Sequence, residues 1–195
     1  LEEALKETEA LIQRFPTNAA VVQTRFGALA WANDLEGAQR MLDDKRFTDL
    51  IDPPAPSRPA PLLLAALKSR SAPDIAALAS ACVDPEKLSG SAEVVCATGL
   101  VALGRTGDAF AMIDRMFPDM RGSSPEEIER KWLEHPNTVI LSKILMIPGT
   151  APLREDRRII AVFERIGLVD FWRSSGKWPD FCETEPKSVC AEIRK

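Results

Sequence analysis

The prolines of this chain stand between its apolar periodic segments and not within them, and that placement most constrains what it can fold into. A proline lacks a backbone N–H and its ring clashes inside a helix, so each one closes a helix or opens the next. With 15 prolines in 195 residues, the chain is punctuated into many short helices. No segment alternates apolar and polar residues over more than a few positions, so no sheet is expected. The expected fold is all-α, with short helices joined by tight turns into antiparallel hairpins.

Periodicity places the helices. In segment 2–15, Leu5, Thr8, Leu11, Ile12 and Phe15 fall on one side at helical spacing, and Pro16 ends the run. Segment 18–32 opens on Asn18, a good N-cap, and carries Val22, Phe26 and Leu29 with Trp31 beside them. The turn at Ala32-Asn33-Asp34 leads to Leu35, Ala38, Met41 and Leu42. A proline-rich stretch over 53–61 reads as a stiff connector, and helices at 62–70 and 74–83 form a second hairpin around Ser71-Ala72-Pro73-Asp74. A third hairpin pairs 91–104 with 108–117 across Arg105-Thr106-Gly107, with Pro118 as its stop. Further helices are expected at 125–133, 137–147, 153–166 and 168–175, with an irregular tail over 176–195. The whole reads as one helical domain: repeats over 1–52 and 62–118 about the connector, then C-terminal helices over 119–175 and the tail.

Composition narrows the function. Hydrophobic residues at 45% and charged residues at 28% are an ordinary globular balance. A net charge of -4 provides no basic field for releasing counterions from phosphates, so nucleic-acid binding by this segment is not expected. The longest apolar stretches, Leu62–Leu67 and Val139–Ile147, are too short to cross a bilayer, so no membrane insertion is expected. The chain opens on Leu1 and runs straight into helical sequence, which reads as a piece cut from a longer protein.

Ala38 stands 34 residues beyond Ala4, and Asn33-Asp34-Leu35-Glu36-Gly37-Ala38 and Arg105-Thr106-Gly107-Asp108 read as equivalent inter-helix turns. On these residues the chain resembles the tetratricopeptide (TPR) repeat family, with the 62–83 hairpin as a degenerate repeat and without the large aromatic usual early in the first helix. The resemblance implies hairpins stacked into a short right-handed superhelix, an α-solenoid, with helix 2–15 as the second helix of a repeat. A second resemblance runs from Pro148 to Cys182, through Gly167-Leu168-Val169-Asp170-Phe171-Trp172-Arg173 and Gly176-Lys177-Trp178-Pro179-Asp180-Phe181-Cys182. It is similar to the carboxy-terminal end of bacterial winged-helix/TPR regulatory proteins. That resemblance implies a regulatory region of a longer protein, with the DNA-binding part outside these residues.

A stacked array offers a concave surface suited to an extended peptide or a partner helix, and Gln23, Trp31 and Thr98 are candidate lining residues. The expected partner is a protein or peptide, or the upstream part of the same chain. A periplasmic sensory domain of a membrane-anchored regulator, binding a small molecule or envelope partner, is the alternative. Catalysis is not expected: His135 is the sole histidine, sits before Pro136 and reads as a helix-ending surface residue without a nucleophile signature beside it. Neither a cofactor motif nor a metal-ligand pattern occurs, since Cys82, Cys96, Cys182 and Cys190 contain no C-x-x-C pair. Their spacing permits two disulfides, Cys182 with Cys190 closing the tail and Cys82 with Cys96 bridging consecutive helices. The competing reading of Cys82 and Cys96 is that of free, buried, small apolar residues. Disulfides would place the chain in an oxidising compartment such as a periplasm, and free thiols in the cytoplasm. Phe171, Trp172, Trp178 and Phe181 read as a cap folded over the open apolar end of the last hairpin, in preference to a partner anchor. The run Arg154-Glu155-Asp156-Arg157-Arg158 reads as a solvated helix face.

Overall fold

A computed structural model describes residues 2–52, 57–83, 88, 92–117, 119–124, 126–127, 130–131 and 145–194. The fold is all-α, and no strand occurs among the described residues. The chain divides into two compact units, Leu1–Gly104 and Arg105–Lys195. Of the helix expected over 125–133, residues 126–127 and 130–131 are described and are helical; of that expected over 137–147 only residues 145–147 are described, as a turn, and His135 lies outside the described residues.

The first unit contains α1 (Glu2–Arg14), α2 (Ala19–Trp31), α3 (Leu35–Asp43), α4 (Thr48–Ile51), α5 (Pro59–Ser69), α6 (Ala72–Cys82) and α7 (Ala92–Ala102). Successive helices pack as neighbours: α1 on α2, α2 on α3 and α4, α3 on α5, and α5, α6 and α7 on one another. Side chains supply the orphan N–H groups at three starts, where Asn18 accepts from Val21 N, Asp34 from Gly37 N and Ser71 from Asp74 N. Val22, Phe26, Ala38, Leu64, Leu78 and Leu100 form its buried interior. Where α7 crosses α5, a Cβ at Gly99 would stand 2.6 Å from Leu63 Cδ1, so a side chain there would oblige the Leu63 side chain to move.

Helix α5 begins three residues before the expected 62, inside the stretch read as a connector. Pro59 and Pro61 occupy its first turn, where a missing N–H costs nothing and the fixed φ suits a helix. The Ala60 N–H between them donates to Asp52 Oδ2 at 3.2 Å, so a buried carboxylate eight residues upstream does the work of a local cap. Residues in the left-handed region close three inter-helix turns: Asn33 (φ 61°), Arg70 (φ 51°) and Gly104 (φ 73°), spaced 37 and then 34 residues apart.

The second unit contains α8 (Thr106–Met116), a 3₁₀ turn (Pro148–Thr150), α9 (Ala151–Arg154), α10 (Arg158–Arg165), α11 (Leu168–Ser175), α12 (Phe181–Thr184) and α13 (Cys190–Ile193). Helix α10 packs on α11 and α8, and α9 on α8 and α10, around Phe110, Ile113, Leu153, Ile159, Val162 and Phe163. The single helix expected over 153–166 is instead broken between Arg154 and Arg158, and two short helices interrupt the tail expected to be irregular.

The break carries an arrangement that recurs at helix ends. In Asp156-Arg157-Arg158, the Arg158 backbone N–H donates to Asp156 Oδ1 at 2.9 Å while its guanidinium reaches Asp156 Oδ2 at 2.7 Å. Asp44–Arg46, just past α3, and Asp119–Arg121, just past α8, close in the same way, each with its Nη2 at 2.6 Å from the carboxylate. Each clasp satisfies an arginine fork within three residues.

Candidate functional site

In the first unit, α1, α2 and α3 border a cleft of about 560 Å³. Ile12, Leu29, Met41 and Phe47 supply its apolar side, brought together because α1 and α3 both pack against α2. Its rim alternates in charge. Arg25 pairs with Glu9 at 2.8 Å and donates to the Leu5 carbonyl and Thr8 Oγ1, which ties α2 to α1. Arg46 is closed on Asp44, and the Arg46 guanidinium lies over the Phe47 ring. Arg40 is exposed, and its guanidinium has no partner among the described residues. An apolar floor with a polar, alternately charged rim can seat a segment of chain and orient it.

Of the three expected lining residues, the structure leaves one accessible. Trp31 is 39% exposed, its ring lying over Gly27. Gln23 is half-buried and donates its amide to the Leu50 carbonyl, linking α2 to α4. Thr98 is only 2% exposed and returns its hydroxyl to the Val94 carbonyl, so it offers nothing to a partner.

All four cysteines are in disulfides, Cys82 with Cys96 and Cys182 with Cys190. The reading of Cys82 and Cys96 as free buried thiols therefore does not hold, although both are fully buried. Two disulfides are compatible with an oxidising environment. In the second unit the aromatic residues of the tail meet around Phe163. Trp172 meets it edge-on at 5.1 Å and Phe181 stacks at 6.2 Å, with Trp178 at 6.2 Å from Trp172. Phe171 takes no part, being 53% exposed while its neighbour Trp172 is buried.

The residues that sequence reasoning missed are buried charges. Arg154, read as part of a solvated face, has no exposed surface. Its Nη1 donates to the carbonyls of Leu145 at 2.8 Å and Ile147 at 3.0 Å and to Thr150 Oγ1, and its Nε and Nη2 fork onto Glu185. The guanidinium also lies 5.0 Å over the Phe181 ring, and the Arg154 carbonyl accepts from Val189 N. All three guanidinium nitrogens are thus engaged, which is what a buried guanidinium requires. Periodicity could not find it, because the helix expected around it is broken and its partner lies in the tail.

Asp52 and Glu93 in the first unit are the other two. Burial pushes the Asp52 carboxyl up to about 6, against the pull of the Ala60 N–H and Arg58, and pushes Glu93 up to about 7. Asp52 Oδ1 and Glu93 Oε2 have no hydrogen-bond partner. Among the described residues no group of three or more His, Cys, Asp or Glu is placed to hold a metal ion, and no helix is long and apolar enough to cross a membrane. No family model, curated protein or solved structure matches the chain.

Proposed function

We propose that the chain is a TPR-like protein- or peptide-binding scaffold without catalytic activity, serving as the regulatory region of a larger bacterial protein, a winged-helix transcriptional regulator being the kind its tail resembles. The observation that carries this reading is the cleft beside α2, with Ile12, Leu29, Met41 and Phe47 within and the unpartnered Arg40 on its rim. The left-handed turns at Asn33, Arg70 and Gly104, spaced near the repeat length, support the repeat reading. The test is selection of binders from a random peptide library on the full chain, followed by calorimetric titration against the native protein and Arg40→Glu and Met41→Gln variants. A peptide that binds the native chain and loses at least tenfold in affinity on the variants supports the scaffold. Failure to recover a binder, or binders indifferent to both changes, overturns it.

The two disulfides favour a second reading, a periplasmic sensory domain reporting an envelope signal to an upstream part. Alkylation of the chain in its native host, before and after reduction, decides it: four thiols reactive after unfolding without reductant place the chain in a reducing compartment and sink this alternative.

A further inference from the structure

The last residues of the second unit are held by a small number of separate fastenings. Helices α12 and α13 have four residues each, too short to persist alone. From within α12 to the start of α13, residues 183–189 form a strap whose Glu185 forks onto buried Arg154 and whose Val189 N–H donates to the Arg154 carbonyl. Beyond it, the Ile193 carbonyl accepts from Arg173, and Arg194 lies over Trp178. The strap begins and ends at Cys182 and Cys190, so one covalent bond closes it into a loop.

The two disulfides differ in access. Cys82 and Cys96 expose 1% and 0% of their surface. Cys182 is half-buried and is followed by the exposed Glu183 and Thr184, while its partner Cys190 is buried. A thiol reductant can therefore approach the tail disulfide through Cys182 but meets no such opening at Cys82–Cys96.

We propose that the Cys182–Cys190 disulfide is a redox-operated clasp, opened by a dithiol reductant while Cys82–Cys96 stays closed, and that opening it frees residues 183–194 from Arg154 and the aromatic cluster. A thiolate of the dithiol attacks the Cys182 sulfur, the bond to Cys190 breaks, and Cys190 leaves as a thiolate that takes up a proton. The second thiol of the reductant loses its proton and displaces the Cys182 sulfur, so the dithiol ends as its own disulfide and both cysteines end as thiols. Loop closure no longer restricts the open strap, which shifts its opening equilibrium by roughly 10- to 100-fold. Freed, it withdraws the Glu185 carboxylate from Arg154 and lifts the Arg194 guanidinium from the Trp178 ring. This inference is independent of the cleft in the first unit.

The experiment treats the oxidised full chain with graded dithiothreitol under native conditions, traps thiols by alkylation, locates them by peptide mass, and follows amide hydrogen exchange in parallel. Cys182 and Cys190 are expected to be trapped first, as a pair. The Val189, Ile193 and Arg194 amides should then exchange about 10- to 100-fold faster while Ile159–Phe163 keep their protection. A Cys182→Ala, Cys190→Ala variant should show the same pattern without reductant. The proposal is overturned if both disulfides open together, if the tail amides are unchanged once the pair is reduced, or if the variant loses protection throughout α10 and α11, which would make the bond part of the unit's core.

Discussion

The guanidinium of Arg154, with no exposed surface, takes both carboxylate oxygens of Glu185, thirty-one residues further along the chain. The pair joins the turn before α9 to the strap after α12, since the same guanidinium also holds the Leu145 and Ile147 carbonyls. Removing the carboxylate leaves a buried cation with three neutral acceptors. Glu185→Ala is expected to cost about 3 kcal/mol, because the charge left behind keeps its full desolvation penalty. A shift of the urea midpoint at constant slope measures it. A loss under 1 kcal/mol would mean that water replaces the carboxylate at no cost.

Acidity should stabilise the first unit across a range where most proteins change little. An acid whose folded pKa is raised contributes stability that is complete below its unfolded value and lost as pH rises through the folded one. For Asp52 and Glu93 that loss runs from about 4 up through about 6 and about 7. Lowering pH from 8 to 5 is therefore expected to stabilise the protein by on the order of 2 kcal/mol per group. Asp44, held down to about 2 by Arg46, and Asp156, lowered by Arg158, titrate below this window. Asp52→Asn and Glu93→Gln should flatten the melting temperature between pH 8 and 5, and an unchanged slope in both variants would refute the assignment.

Arg70 occupies the left-handed region at φ 51°, which a residue with a Cβ adopts at a cost. Arg70→Gly is expected to raise stability by about 0.5–1 kcal/mol despite the lost, exposed bond from its side chain to the Ala102 carbonyl. Thermal unfolding of the variant beside the native chain is sufficient, and destabilisation would show that the side-chain bond outweighs backbone strain.

Cys82 and Cys96 join α6 to α7 across a sequence separation of 14. Replacing both with alanine is expected to cost about 3 kcal/mol, the value for closing a loop of this length in the unfolded chain. Guanidinium unfolding of the double variant checks it, and an effect well below 1 kcal/mol would mean that packing alone fixes the two helices.

Helices whose signals are local were readable from the sequence. Residues 2–14, 19–31 and 168–175 agree with the apolar spacing and the stops at Pro16, Asn33 and Gly176 to within a residue or two. The start of α5 was not readable, because Pro59 and Pro61 look like a connector until Asp52 is known to serve Ala60 from a distance. The break at Asp156 was hidden for the opposite reason: its carboxylate is spent on the next turn of its own backbone, in a segment whose composition is helical. The buried charges Arg154, Asp52 and Glu93 have no periodic signature, since a charge is admitted to an interior by its partners and those come from elsewhere in the chain. Among the candidate lining residues, Thr98 and Gln23 use internally the polarity that singled them out.

The three Asp-x-Arg clasps also bear on the order of events during folding. Each carboxylate–arginine pair is complete within three residues. Contacts this close along the chain form on timescales of tens of nanoseconds, well before helices meet and dock. The ends of α3, α8 and the α9–α10 break are thus marked while the chain is still open, and the later search is among helices whose lengths are already set.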